Sequence, residues 1–192
     1  MLYWFVRLIL YFAACAVYRV KVKGVEHIPC EGAFILCSNH IHSFDPAMLA
    51  ISIKRQMRFM AKKELFCNRV KGAFFRAMGA FPVDRGALDI ASYRNAMKSL
   101  KSGMGLLVFC QGTRMQELNV KEAKGGVALF GVKSKAPIIP VGITGSYYPF
   151  SKLNICFGKA ITLEDYYEQR LKSDQIEYIM AEIMSEIEKL VV

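Results

Sequence analysis

A histidine and an aspartate five positions apart stand directly after an apolar, β-rich run. Ala33-Phe34-Ile35-Leu36-Cys37-Ser38 leads into Asn39-His40-Ile41-His42-Ser43-Phe44-Asp45-Pro46. A histidine takes a proton from an alcohol well when a carboxylate fixes its tautomer and stabilises the imidazolium that forms. His40 and Asp45, in one turn after a strand, could be such a pair. The same residues have a plainer reading, because Asp followed by Pro is also how a helix starts, with Asp45 as cap and Pro46 in the first turn.

Two further strand ends deliver cations. Gly79-Ala80-Phe81-Pro82-Val83 runs into Asp84 and Arg85, and the planar donor fork of an arginine suits a phosphate. An internal Asp84–Arg85 ion pair is the alternative. Gly105-Leu106-Leu107-Val108-Phe109 runs into Cys110-Gln111-Gly112-Thr113-Arg114. There a glycine lets backbone approach a ligand, Thr113 adds a hydroxyl and Arg114 a second anion-binding group. A turn with a surface arginine is again the competing reading. Lys124-Gly125-Gly126 opens a helical stretch whose amides could receive an anion. Pro137-Ile138-Ile139-Pro140-Val141 reads as a buried strand whose prolines suggest a site-lining or edge position.

The elements that must position these residues alternate. Strands are expected at 20–25, 33–38, 58–61, 79–83, 105–109, 137–144 and 153–157, and helices at 46–53, 63–78, 88–102 and 124–133. Such alternation predicts an α/β domain with a largely parallel sheet flanked by helices, whose site lies in loops leaving the carboxyl ends of strands. Ile176, Ile179, Met180, Ile183, Met184, Ile187, Leu190 and Val191 recur at helical spacing and predict a last, scaffolding helix. Asp174 and Glu177 read as its capping box.

Composition narrows the partners. The chain has 192 residues, 54% hydrophobic and 22% charged, with net charge +10, so disordered and fibrous classes are excluded. From Lys54 to Arg76 there are eight basic residues against Glu64 alone, whereas 164–192 holds eight acids and three bases. The basic body implies an anionic partner. No recognisable DNA- or RNA-binding motif accompanies it, so anionic lipid or a phosphorylated substrate is expected rather than nucleic acid. The six cysteines are widely spaced, several of them in apolar runs, and only three histidines could join them. Neither a metal site nor a disulfide framework is expected.

Residues 1–18 are apolar except for Arg7 and carry Tyr3, Trp4, Tyr11 and Tyr18, ring types that favour a membrane boundary. The stretch is marginal for spanning, with Arg7 near its middle. A helix lying in one leaflet with Arg7 snorkelling to the headgroups is expected, followed by one domain over 19–192. A cleaved signal peptide, a lipoprotein lipidated at Cys15 and a first helix packed on the domain's own core are the alternatives.

Four segments in order, Asn39-His40-x4-Asp45-Pro46, Phe81-Pro82-Val83-Asp84-Arg85, Phe109-x-x-Gly112-Thr113-Arg114 and Ile139-Pro140-Val141, resemble the motifs of the glycerolipid acyltransferases, specifically the 1-acylglycerol-3-phosphate acyltransferase family. The resemblance implies a glycerol-3-phosphate acyltransferase-like fold and transfer of a fatty acyl group from a thioester to the free hydroxyl of lysophosphatidic acid, giving phosphatidic acid. It implies His40 as general base and Asp45 as its orienting carboxylate. It also implies substrate binding by Asn39, Arg85, Gln111, Gly112, Thr113, Arg114 and Pro140, with the phosphate on the arginines and Pro140 near the acyl chain. No cofactor is implied, since acyl carrier protein or coenzyme A enters as donor substrate. The implied setting is the cytoplasmic face of a membrane bearing anionic lipid.

The third motif departs from the family's Phe-Pro-Glu-Gly-Thr-Arg, with Cys110 and Gln111 in place of the proline and glutamate. Glutamine keeps a carbonyl acceptor, loses the charge and gains donors. A different lysophospholipid acceptor, or a non-catalytic lipid-binding member of the fold, is therefore the alternative function. Cys110 as an acyl-carrying nucleophile is disfavoured, because transfer assisted directly by histidine needs no such intermediate.

Overall fold

Seven strands form one sheet in the computed structural model, which describes residues 2–84, 90–111 and 125–191. They are β1 (Arg19–Lys23), β2 (Phe34–Ser38), β3 (Met57–Lys62), β4 (Ala80–Val83), β5 (Gly105–Phe109), β6 (Ile138–Gly145) and β7 (Lys152–Phe157), in spatial order β1-β7-β6-β2-β5-β3-β4. β2 to β6 run parallel, β7 pairs antiparallel with β6, and β1 is parallel to β7. Parallel strands covered on both faces need apolar residues at successive positions. Phe34, Ile35, Leu36 and Cys37 are all fully buried for this reason.

The helices are α1 (Leu2–Val17), α2 (Asp45–Ser52), α3 (Arg69–Ala77), α4 (Ile90–Lys101), α5 (Gly126–Ser134) and α6 (Ser173–Val191). Alternate strand residues choose the face. Ile35, Cys37, Leu106 and Ile138 pack with Ala96, Leu100, Phe130, Ile183 and Ile187 of α4, α5 and α6. Phe34, Leu36, Leu107, Ile139 and Ile143 pack with Ala14 of α1 and with Met48 and Leu49 of α2.

The architecture matches the expectation, and four details correct it. The stretch 63–78 is not one helix: β3 continues to Lys62, a 3-10 turn covers Lys63–Phe66, and α3 starts after Asn68. Asn68 accepts from the backbone N–H of Val70 and Lys71 at 3.0 and 3.1 Å. A capping side chain inside an otherwise helical sequence breaks it there. At α6 the helix begins one residue before Asp174, and Gln175 Oε1 accepts the Lys172 N–H at 2.9 Å, so Gln175 serves where Glu177 was expected.

Pro140 is interior, since β6 lies between β7 and β2. Gly158 donates to the Pro140 carbonyl at 2.8 Å, and the regular β6–β7 ladder starts one residue later, at Val141. The proline therefore sits where the ladder ends, which lets an inner strand tolerate it. Arg7, fourth, does not snorkel outward. Its guanidinium donates to the Ile51 carbonyl at 3.4 Å and to that of Ile53, and lies over the Trp4 ring. Unsatisfied carbonyls and the negative dipole end of α2 draw the cation inward. No helix among the described residues is long and apolar enough to cross a membrane.

Candidate active site

The register Ser38↔Phe109 and Ser38↔Val141 sets the carboxyl ends of β2 and β5 beside the middle of β6, which runs on to Gly145 at the same edge of the sheet. Asn39 anchors the chain as it leaves β2. Its amide nitrogen donates to the Ile143 carbonyl and its oxygen accepts the Ile143 N–H, both at 2.8 Å, in a buried position. The resemblance put Asn39 at the substrate; the structure has both ends of its amide on the backbone of β6. The exit from β2 is thereby held at a defined place, and His40 emerges there.

His40 Nδ1 lies 2.7 Å from Asp45 Oδ2, with side-chain exposures of 10% and 0%. The same oxygen accepts the backbone N–H of Ile41 at 2.7 Å and of His42 at 2.8 Å. Oδ1 accepts the Tyr147 hydroxyl at 2.6 Å. A buried carboxylate is tolerable only when hydrogen-bonded, and these four donors hold Asp45 in one orientation. The helix-cap reading of Asp45 is thereby corrected. α2 does begin at Asp45 with Pro46 next, but the carboxylate turns back into the preceding turn and Phe44 stands at the cap without a side-chain bond. With Nδ1–H on Asp45, Nε2 of His40 is left as the basic nitrogen. Phe109, at the end of β5, stacks on the His40 ring at 3.9 Å and 15°.

Sequence reasoning missed Tyr147. Its ring stacks on His42 at 4.2 Å and meets Tyr18 edge-on at 5.6 Å. Burial, and secondarily the bond to Asp45, push its phenol well above the ordinary tyrosine range, so it remains a donor. The usable signal was its place, two residues beyond the carboxyl end of β6.

The other expected residues do not all converge. Gln111 is buried just past β5. Cys110 donates its backbone N–H to Ser38 at 3.0 Å, but its thiol belongs to the core facing α5 and α6. Its hydrogen bond with Cys37 lowers the Cys110 thiol against the opposing effect of burial, while the same bond and burial push the Cys37 thiol well above its usual range. The Cys110 sulfur is fully buried in that core, and it is this lack of access that keeps it from carrying an acyl group. Pro140 faces the α6 side, its ring 2.8 Å from where a Cβ on Gly158 would stand and beside Leu190. Asp84 takes an ion pair from Lys63, tying the end of β4 to the turn after β3. Arg85, Gly112, Thr113, Arg114 and Lys124 lie outside the described residues. Of the basic stretch, Arg55 is internal, donating to the Pro29 and Gly103 carbonyls at 3.0 and 2.8 Å. Among the described residues, no group of three or more His, Cys, Asp and Glu could hold a metal ion.

A family model described as Acyltransferase matches residues 19–144, which contain this whole edge except Tyr147. The chain belongs to the acyltransferase family. It is 32% identical over 164 residues to a 1-acyl-sn-glycerol-3-phosphate acyltransferase of Streptococcus pneumoniae, covering 82% of this chain and 60% of that protein. It is 31% identical over 153 residues to one of Bacillus subtilis, covering 77% of this chain and 76% of that protein. The chain thus spans under two thirds of the streptococcal relative's length. The 1-acyl-sn-glycerophosphate acyltransferase of Thermotoga maritima superposes with a TM-score of 0.71 at 20% identity, over 98% of this chain and 80% of that one, so this acyltransferase shares its fold.

Proposed function

We propose that this acyltransferase moves a fatty acyl group from a thioester on acyl carrier protein or coenzyme A to the free hydroxyl of 1-acylglycerol 3-phosphate, giving phosphatidic acid and the free thiol. The observation that carries the reading is His40 Nδ1 on a buried Asp45 that four donors orient. In this step His40 Nε2 accepts the hydroxyl proton as the oxygen attacks the thioester carbonyl. The tetrahedral adduct collapses, the C–S bond breaks, and the imidazolium returns its proton to the sulfur. Asp45 stabilises the transient imidazolium, and Tyr147 holds Asp45 from its other oxygen.

The family resemblance assigns the acceptor's phosphate to Arg85 and Arg114 with Gly112 and Thr113, and Gln111 lies directly before that group. Proximity between hydroxyl and carbonyl supplies much of the acceleration. Acceptor and product are membrane lipids, and the outward residues of α1, among them Phe5, Leu8, Ile9 and Phe12, are exposed and apolar. That supports docking on the cytoplasmic face of an anionic membrane, with α1 lying on the bilayer.

The test is transfer from a palmitoyl thioester to lysophosphatidic acid by the purified, detergent-solubilised protein, beside His40→Ala and Gln111→Glu. Phosphatidic acid from the parent, with a loss of about 10²–10⁴-fold in His40→Ala, is expected. Near-normal transfer by His40→Ala overturns the mechanism. A silent parent that Gln111→Glu activates marks the non-catalytic alternative.

A further inference from the structure

The loop between β6 and β7, residues 146–151, is closed by its own hydrogen bonds and displays two large side chains to solvent. Ser151 Oγ lies 2.5 Å from the Ser146 carbonyl and 2.6 Å from that of Tyr148, and the Ser146 N–H donates to the Lys152 carbonyl at 3.1 Å. From this closed frame Tyr148 is 79% exposed and Phe150 71% exposed. Phe150 also has φ +63°, a left-handed conformation that a bulky residue occupies at a cost in stability. Asparagine or glycine would sit there with less strain and lose little packing. A strained aromatic that packs on little of its own chain points to a contact outside it.

The loop's position identifies that contact. At its start, Tyr147 turns inward to Asp45. At its end, the Phe150 N–H donates to the Val17 carbonyl, the last residue of α1, at 2.6 Å. Tyr148 and Phe150 therefore lie along the chain between Tyr147 at the His40 edge and the end of α1, where Val17 is itself exposed. Arg19 and Lys152, paired in register where β1 and β7 begin and both exposed, flank the loop with positive charge. Aromatic rings beside cations, next to an apolar helix, match the headgroup layer of an anionic phospholipid bilayer.

We propose that the β6–β7 loop is a second membrane contact: Tyr148 and Phe150 insert into an anionic phospholipid surface and set the His40 edge of the sheet against the bilayer. It deepens the membrane-lipid reading above and rests on it for its purpose. The contact itself can be measured without turnover.

The experiment uses the full chain, vesicles of phosphatidylcholine with and without phosphatidylglycerol, and the variant Tyr148→Ser/Phe150→Asn, in which asparagine suits the left-handed position. Retention on the anionic vesicles is expected to fall about tenfold with near-ultraviolet circular dichroism unchanged. Transfer to a vesicle-borne acceptor should fall with it, while transfer to a short-chain, water-soluble lysophosphatidic acid stays at the parent rate. A second variant, Tyr148→Trp in a Trp4→Phe background, should be quenched by brominated lipid and shielded from aqueous acrylamide. Unchanged retention, or an introduced indole that acrylamide quenches and brominated lipid does not, overturns the proposal. So does loss of a dimer at unchanged retention, which would make the loop a surface for a second copy. A parent that binds vesicles through this loop yet transfers no acyl group overturns the acyltransferase reading and leaves the contact standing.

Discussion

The two faces of the sheet are built from the same kind of strand residue and finished in opposite ways. On one, α4, α5 and α6 seal a continuous core in which Ile179, Met180, Ile183, Met184 and Ile187 of α6 are all buried. On the other, α1 and α2 cover the strands thinly. α1 buries Tyr3 and Ala14 and leaves most of its large apolar side chains in the open. The proposed chemistry follows the thin face: Phe109, Tyr147 and Ile41 pack against that core, and His40 stacks on Phe109. Cys110, which follows Phe109 in sequence, looks into the sealed core and has no access. Both faces bury a core, and it is the thinly covered one that borders the His40 edge.

This contrast can be broken by substitution. Ile183→Ala on the sealed face should lower unfolding stability by about 2–4 kcal/mol, read by urea denaturation, through lost burial and a residual cavity. Transfer per folded molecule should remain at the parent value. A kinetic defect there would mean that the sealed face reaches the site.

Arg7→Met tests whether the thin face belongs to the domain or only to its surroundings. Loss of the bonds to the Ile51 and Ile53 carbonyls should cost about 1–3 kcal/mol in detergent solution without any membrane. An unchanged denaturation midpoint would return Arg7 to the role of a headgroup anchor.

The smallest effect is a pH dependence. Tyr147 is raised above its ordinary value mainly by burial, so above pH 10 the unfolded chain releases this proton while the folded chain keeps it. Stability contributed by Tyr147 is therefore full below about pH 10 and lost as pH rises beyond it. Tyr147→Phe should show a shallower alkaline decline in thermal midpoint than the parent. Equal slopes would remove the phenol from the Asp45 cluster.

The strands were legible because fully buried parallel strands read as short, unbroken apolar runs, as in Phe34-Ile35-Leu36-Cys37. The last helix was legible from its 3.6-residue spacing, and the His40–Asp45 pair from a separation short enough for one turn to close. What could not be read is long in sequence and short in space. Tyr147 reaches Asp45 across 102 residues, and Asn39 reaches Ile143 across 104. Such contacts leave no local periodicity, since the strand register alone brings their partners to one edge.

Arg7 shows the same division within a single residue. An arginine in an apolar helix announces an interface, and sequence alone supplied the helix, its apolar surround and the cation's cost. Which carbonyls or headgroups receive that cation is an energetic choice between water, lipid and protein. The C-terminus of α2, with acceptors that its own helix could not satisfy, made that choice only when the chain had folded.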